Sequence, residues 1–223
     1  MAATPQQLPL FPLSNVVLFP HLRAPLHLFE PRYRQLGRDA IAGDGLVGMA
    51  VVRPEHAAEM SGDPPLFPVG CAGRITRSKQ LPDGRYDIVL TAFGRFRILA
   101  ELEREAGRLY RVARVEMLED RMQDADRPRV GALRARCLEL VTDLIRRTAP
   151  ERAKDLPRSF LGDLDDAPFV NALCNALAFE PAEKQGLLEA DSIPARFERL
   201  GELLRFRVAE LGAAGASISG SLH

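Results

Sequence analysis

The chain is 223 residues long and 46% hydrophobic, with 30 Lys and Arg against 30 Asp and Glu. That apolar content suffices for one large core or two small ones. The balanced charge leaves no global field to favour nucleic acid or an anionic membrane. The N-terminal MAATPQQLPLF has neither a basic flank nor a sustained apolar run, so no signal peptide or membrane span is expected and a cytoplasmic setting is.

The first half alternates with the period of strands. Leu8 to Phe11, Val16 to Phe19, Leu26 to Phe29 and Leu46 to Val52 are short apolar runs separated by Pro, Asn, Asp and Gly, the pattern of buried strands. One helix interrupts them. Pro31 suits its first position, having no N–H to lose, and Tyr33, Leu36, Gly37, Ala40 and Ile41 then form one apolar stripe. The junction LFEPRYR raises a question of its own, because Arg32 and Arg34 put cations where the helix dipole is positive. Either an anion answers them there, through a helix N-terminus reinforced by arginine, or a carboxylate of the chain does, with Glu30 the nearest candidate; the second is the expectation.

A polar stretch, RPEHAAEMSGDPP at 53–65, reads as a flexible loop. Beyond it LPDGR at 81–85 has the Pro, Asp and Gly order of a tight turn with a left-handed third position. Tyr86, Ile88 and Leu90 alternate with polar or outward neighbours, and Phe96 and Ile98 alternate with Arg95 and Arg97, as in half-buried antiparallel strands. Gly94 and Gly107 are expected to mark turns, and Leu109 to Leu118 completes a set of some seven or eight strands. So many edges argue for a closed or nearly closed barrel over residues 1–118.

After EDRMQDADRP the period becomes helical. Val130, Leu133, Cys137, Leu140, Val141, Leu144 and Ile145 make one stripe; Phe169, Val170, Leu173, Cys174 and Leu177 a second; Phe197, Leu200, Leu204, Val208 and Leu211 a third. A short helix starts at Pro181, and Pro150, Pro157, Pro168 and Pro194 punctuate the rest. The fold class is therefore α+β: a barrel with one helix, a helical bundle over 119–211, and an aperiodic tail over 212–223 expected to be disordered.

No catalytic, cofactor-binding or metal-binding residues emerge. There is no GxxxxGK[ST] loop and no GxSxG elbow, and Ser78 and Lys79, adjacent in a strand, point to opposite faces. His27 and Glu30 form an HxxE with His21 nearby, but not on one helical face as zinc sites of this kind require. Cys71, Cys137 and Cys174 lack a CxxC pair, which excludes a thiolate zinc cluster; Cys137 and Cys174 lie on apolar helical faces and read as buried hydrophobes. Arg95 and Arg97, with Arg74, Arg77 and Arg85, could form an RNA-binding face. Their reading as the solvated side of amphipathic strands is preferred, because Phe93 and Phe96 are needed by the core.

LPLFPLSNVVLFP at 8–20, LHLFEPRYRQL at 26–36, VGCAGRI and LPDGRYDIVLTAFGRFRI up to residue 98, and EKQGLLEADSIPARFERLGELL at 183–204 together resemble the substrate-binding N-terminal domain of the Lon protease family, in its short stand-alone bacterial form. The resemblance runs over about residues 8 to 211. It implies a PUA-like pseudobarrel followed by a helical bundle, without the ATPase and Ser–Lys protease modules of the full enzyme. Cereblon carries a similar domain as a scaffold, but its drug- and zinc-binding domain has no counterpart in this chain. Two positions depart from the family: His21 stands where a glycine commonly follows the FP pair, and Ala92 where a glycine precedes Arg95 by three residues.

The expected function is a non-enzymatic module that binds unfolded or misfolded polypeptides through exposed apolar segments, with a protease or chaperone as further partner. An apolar groove between barrel and bundle, rimmed by the 53–65 loop, is the expected site, with Phe67, Phe29 and Tyr33 as contacts. An RNA-binding PUA-like protein is the alternative.

Overall fold

The computed structural model describes residues 6–149, 151 and 164–219, the side chains of 213–219 excepted. They form two compact units, one of residues up to Asp120 with Asn171–Glu189, the other of Arg121–Val170 with the residues from Ala190 onward.

The first unit is built on six strands: β1 (Gln6–Leu13), β2 (Arg23–Leu28), β3 (Leu46–Val51), β4 (Val69–Gln80), β5 (Tyr86–Glu101) and β6 (Val112–Leu118). Their order is β2-β5-β4-β3-β1-β6, and β6 pairs back onto β5. Five strands therefore close a ring, and β2 lies outside it on the first half of β5. One β5 of 16 residues serves both pairings, Leu28↔Tyr86 to Arg23↔Thr91 with β2 and Arg95↔Leu118 to Glu101↔Ala113 with β6. Closure leaves few backbone edges to protect, with six strands among the described residues where some seven or eight were expected.

Strand alternation sends side chains to two cores. Leu8, Leu10, Ala50, Val52, Ala72, Phe96, Ala113 and Val115 cluster together, drawn from every strand of the ring. Phe96 is wholly buried there. It fits because Gly70 stands opposite, where a Cβ would lie 2.4 Å from the Phe96 ring. The other face, with Phe11, Leu28, Val47, Met49, Cys71, Ile88 and Leu90, packs Tyr33, Leu36 and Ala40 of the helix α1 (Pro31–Ala42). Burying an aliphatic or aromatic side chain of this kind stabilises by about 1.5–3 kcal/mol.

Several expectations change. Val16 to Phe19 is not a strand; Val17, Leu18 and Phe19 are buried in a segment that joins no ladder. Gly94 lies inside β5 beside a register shift rather than in a turn, whereas Gly107 is a turn residue with φ 83°. Ile41 is exposed, at the edge of the α1 stripe. The 81–85 turn is as expected, with Gly84 at φ 81° and Leu81 N–H bonded to Arg85 O.

The largest departure concerns Arg95. Period two places it with Arg97, and Arg97 is exposed, yet Arg95 is 2% accessible. Its guanidinium donates to Asp120 Oδ1 at 2.7 Å, Glu119 O at 3.1 Å and Leu188 O at 3.0 Å. Arg95 and Phe96 are thus both withdrawn from any nucleic-acid face, whereas Phe93, expected in the core, is 47% exposed. Leu188 ends a helix that, with part of the one before it, belongs to this unit rather than to the 119–211 bundle. Other buried polar groups explain that division: Asn171 Nδ2 donates to Pro20 O at 3.2 Å, and Gln185 Nε2 to Val69 O at 2.9 Å. A polar group removed from water must find a partner within the protein.

The second unit is helical. Label the remaining helices α2 (Arg127–Thr148), α3 (Asp166–Ala176), α4 (Pro181–Leu188) and α5 (Ile193–Ser219). Along α2 and α5 the expected stripes are buried at Val130, Cys137, Leu140, Val141, Phe197, Leu200 and Leu204, while Leu211 is exposed. Phe169 stacks on Phe197 with ring centroids 6.0 Å apart, and the Arg134 guanidinium sits 4.0 Å over Phe169 while pairing with Asp166 at 3.0 Å. Residues 212–219 continue α5 rather than forming an aperiodic tail, since extending an existing helix needs no new nucleation. Pro150, Pro157 and residues 220–223 lie outside the described residues.

His21 has φ 69°, the only positive φ among described non-glycine residues. The two family departures meet there, since His21 N–H bonds to Ala92 O and Ala92 N–H to Leu22 O. A left-handed residue with a Cβ costs about 1–2 kcal/mol, so His21→Gly should raise stability by about 1 kcal/mol in urea unfolding. By the same measurement Arg95→Met should lower it by about 3 kcal/mol, because it removes the cation that Asp120 and the carbonyls of Glu119 and Leu188 hold, whereas Arg97→Met should stay within about 0.5 kcal/mol.

Candidate functional site

LFEPRYR proves to be a joint. Arg32 Nε donates to Glu30 Oε2 at 2.9 Å, and its Nη2 lies 2.7 Å from the same carboxylate. The rest of the guanidinium reaches Met60 O and Gly62 O. Arg34 turns the other way, its Nε donating to Gly84 O at 2.8 Å in the β4–β5 turn. The two cations of the first helical turn are therefore each held by a different loop. Tyr33, expected as a peptide contact, is instead in the core: its hydroxyl donates to Pro12 O at 2.9 Å, its ring lies 4.2 Å from that of Phe11, and burial pushes its pKa up against the neighbouring Arg32. A strictly helical stripe that starts at Tyr33 already implies this outcome.

The 53–65 stretch is held rather than free. It carries a short 3₁₀ turn, Pro54–Glu59. Arg32 fastens 60 and 62, Arg104 pairs with Asp63, and Arg111 donates to Pro64 O at 2.8 Å while gripping Glu101. Phe67 beyond it is half-buried, with the Arg53 guanidinium 6.0 Å from its ring centre. Among the described residues no ring contact joins Phe67 to Phe29. Nothing local in the sequence pairs these arginines with carbonyls 28 to 47 residues away.

What remains open is the outward face of β2, β5 and β4. Cross-strand register aligns Pro25, Val89 and Arg77 in one row and His27, Asp87 and Lys79 in the next. They line a groove of about 520 Å³. His27 Nδ1 lies 2.6 Å from Asp87 Oδ1, and its Nε2 is 3.2 Å from Arg85 Nη1. An arginine can only donate, so Nε2 accepts and Nδ1–H donates to Asp87. Arg85 also pairs with Asp83 at 2.6 Å, and the Arg85 backbone N–H holds the Asp83 carboxyl below its usual range. His27 and Glu30 do not converge, since Glu30 is taken by Arg32. Beyond the end of β2, Phe29 is 58% exposed, its ring 6.1 Å from that of His27 and nearly parallel to it.

β2 ends the strand order, so its far edge is open. Pro25 in its middle has no N–H to offer an incoming strand, a common protection of edges. The face, rather than the edge, is the accessible part. Among the described residues no three His, Cys, Asp or Glu side chains converge as a metal site would need. All three cysteines are buried, and burial pushes the Cys137 thiol up to about 11. No helix of the described residues is long and apolar enough to cross a membrane.

The model of the ATP-dependent protease La (LON) substrate-binding domain matches residues 7–205. Lon protease of Cytophaga hutchinsonii is 28% identical over 201 residues, and Lon protease 2 of Myxococcus xanthus 29% identical over 204. In both, the match takes in 90% of this chain but 24% of the relative, so the chain spans about a quarter of the length of these proteins. Among solved structures, a Lon N-terminal domain protein from Xanthomonas campestris superposes with a TM-score of 0.60 at 25% identity, covering 87% of this chain and 96% of its own. The N-terminal domain of the Mycobacterium avium complex Lon protease gives 0.66 at 17% identity, covering 90% and 98%, a likeness of fold.

Arg32→Ala should release the 60–62 carbonyls while leaving the core of α1 in place. Cleavage at Glu55 and Glu59 by a glutamate-specific protease is expected to accelerate about tenfold, with a loss of global stability of only about 1 kcal/mol. Equal cleavage rates would show that the loop is held by its other arginines alone.

Proposed function

The chain belongs to the family of the ATP-dependent protease La (LON) substrate-binding domain, and on that premise we propose that it is a polypeptide-recognition module that performs no chemistry itself. It takes extended, partly apolar segments of unfolded or misfolded proteins, and hands them to, or shields them from, a protease or chaperone in the cytoplasm. The observation that carries this reading is Phe29: a phenylalanine 58% exposed at the rim of a groove floored by Pro25 and Val89. An aromatic ring left in water on a rigid sheet is a ready anchor for an apolar side chain.

Two features support binding without catalysis. The polar groups of the face are mostly engaged with one another, His27 with Asp87 and Arg85 with Asp83, and no side chain there is paired with a base as a nucleophile would be. The match to the Lon family also covers the substrate-binding part only. Phe67 is a second proposed contact, less exposed than Phe29.

Fluorescence anisotropy with labelled peptides from a denatured protein tests the reading. Binding is expected at tens of micromolar or tighter, and Phe29→Ser should weaken it about tenfold, the worth of roughly half a buried aromatic; Phe67→Ser measures the second contact. The absence of binding by the folded protein, or affinity indifferent to Phe29→Ser, overturns it.

A further inference from the structure

The groove has a charge as well as a shape. Its carboxylates are consumed internally, Asp87 by His27 at 2.6 Å and Asp83 by Arg85 at 2.6 Å. Its outer cations are not: among the described residues the side chains of Arg77 and Lys79 form no ion pair and no hydrogen bond, although both are exposed and line the groove beside Val89 and Asp87. Elsewhere in the same unit arginines are taken up, Arg32 by Glu30, Arg95 by Asp120, Arg104 by Asp63 and Arg111 by Glu101. Arg23, Arg97 and Arg114 likewise have no side-chain pair among the described residues, but of these cations only Arg77 and Lys79 line the groove.

We propose that the segments bound here are acidic as well as apolar: an aromatic or aliphatic side chain covers Pro25, Val89 and Phe29, and a carboxylate two or three residues away pairs with Arg77 or Lys79. This rests on the peptide-binding reading above and names its substrate class. The spacing suits it. From β2 to β4 is two strand spacings, about 10 Å, which an extended chain crosses in about three residues. A peptide fits better than a nucleic acid, because the groove offers Pro25 and Val89 as aliphatic contacts for an apolar side chain, and no Phe, Tyr or Trp lines it for a base to stack on.

The test uses labelled unstructured peptides about twelve residues long, long enough to cross the face at any angle, with Leu and Phe at fixed positions and Glu, Ser or Lys between them. The order expected is Glu, then Ser, then Lys, with Glu over Lys by about tenfold at low salt. Near 1 M salt, where screening acts over about 3 Å, the ratio should fall to about twofold. In the R77S/K79S double variant the Glu-to-Lys ratio should fall to about twofold already at low salt. Equal binding of the Glu and Lys peptides, a ratio that survives in R77S/K79S, or an oligoribonucleotide that outcompetes the Glu peptide overturns the proposal. If the Ser peptides bind in a Phe29-dependent way without charge preference, the acidic class falls and the peptide-binding reading stands; if none binds, both fall.

Discussion

A guanidinium cannot be left unpaired in a protein interior, and the architecture of the sheet unit follows from where that of Arg95 is buried. Arginine stays charged at any accessible pH and presents its donors in a fixed fork, so its pocket must supply acceptors from several directions at once. Asp120 and Glu119 O come from the segment that leaves β6, and Leu188 O comes from the end of α4. Strand β5 is thereby tied to two pieces of chain far from it in sequence. Asn171 and Gln185 repeat the arrangement with the carbonyls of Pro20 and Val69. Such contacts need not add much net stability, since the desolvation they require offsets most of the attraction. They do make alternative packings costly, because any shift leaves a buried group unsatisfied.

The periods of the chain carry much of the fold. α1 begins at Pro31 with Tyr33, Leu36, Gly37 and Ala40 inward, the 81–85 turn has its glycine at positive φ, and α2 and α5 bury most of the residues their stripes specify. What periodicity does not carry is which face a neighbour will cover. Arg95 and Arg97 are equivalent by alternation, and only the return of the chain near Leu188 separates them. Val16 to Phe19 is apolar enough for a strand, but a run of buried residues does not say whether its backbone finds a ladder. The glycine expected after Phe19-Pro20 is different again. His21 shows that the need at that position is a left-handed backbone, which a family pattern records and a single residue type conceals.

The same limit governs the candidate face. Seen in sequence, the arginines of this unit are interchangeable; in the structure they divide by task. Arg32, Arg104 and Arg111 hold the 53–65 loop, Arg34 holds a turn, and Arg95 ties elements together, all through acceptors distant along the chain. Subtracting them leaves Arg77 and Lys79 as the unpaired cations that line the groove of the β2–β5–β4 face. Phe29 closes the Leu26–Phe29 run that reads as a buried strand, yet β2 ends at Leu28 and Phe29 is left exposed. Tyr33, four residues on in the same motif, belongs to the helical stripe and is used up by the core.

The division of the chain bears on how the protein is made. The sheet unit is discontinuous, closing only when Asn171–Glu189 joins the first 120 residues. During synthesis the ring strands emerge well before the carbonyl of Leu188 that receives Arg95, so β5 must wait with a cation whose final acceptor has not yet been translated. A boundary cut where the period changes, near residue 118, would look natural in the sequence yet sever the unit it was meant to isolate. A fragment that keeps the bonds of Arg95 to Leu188, of Asn171 to Pro20 and of Gln185 to Val69 runs at least through Leu188, carrying the inserted helix α2 with it.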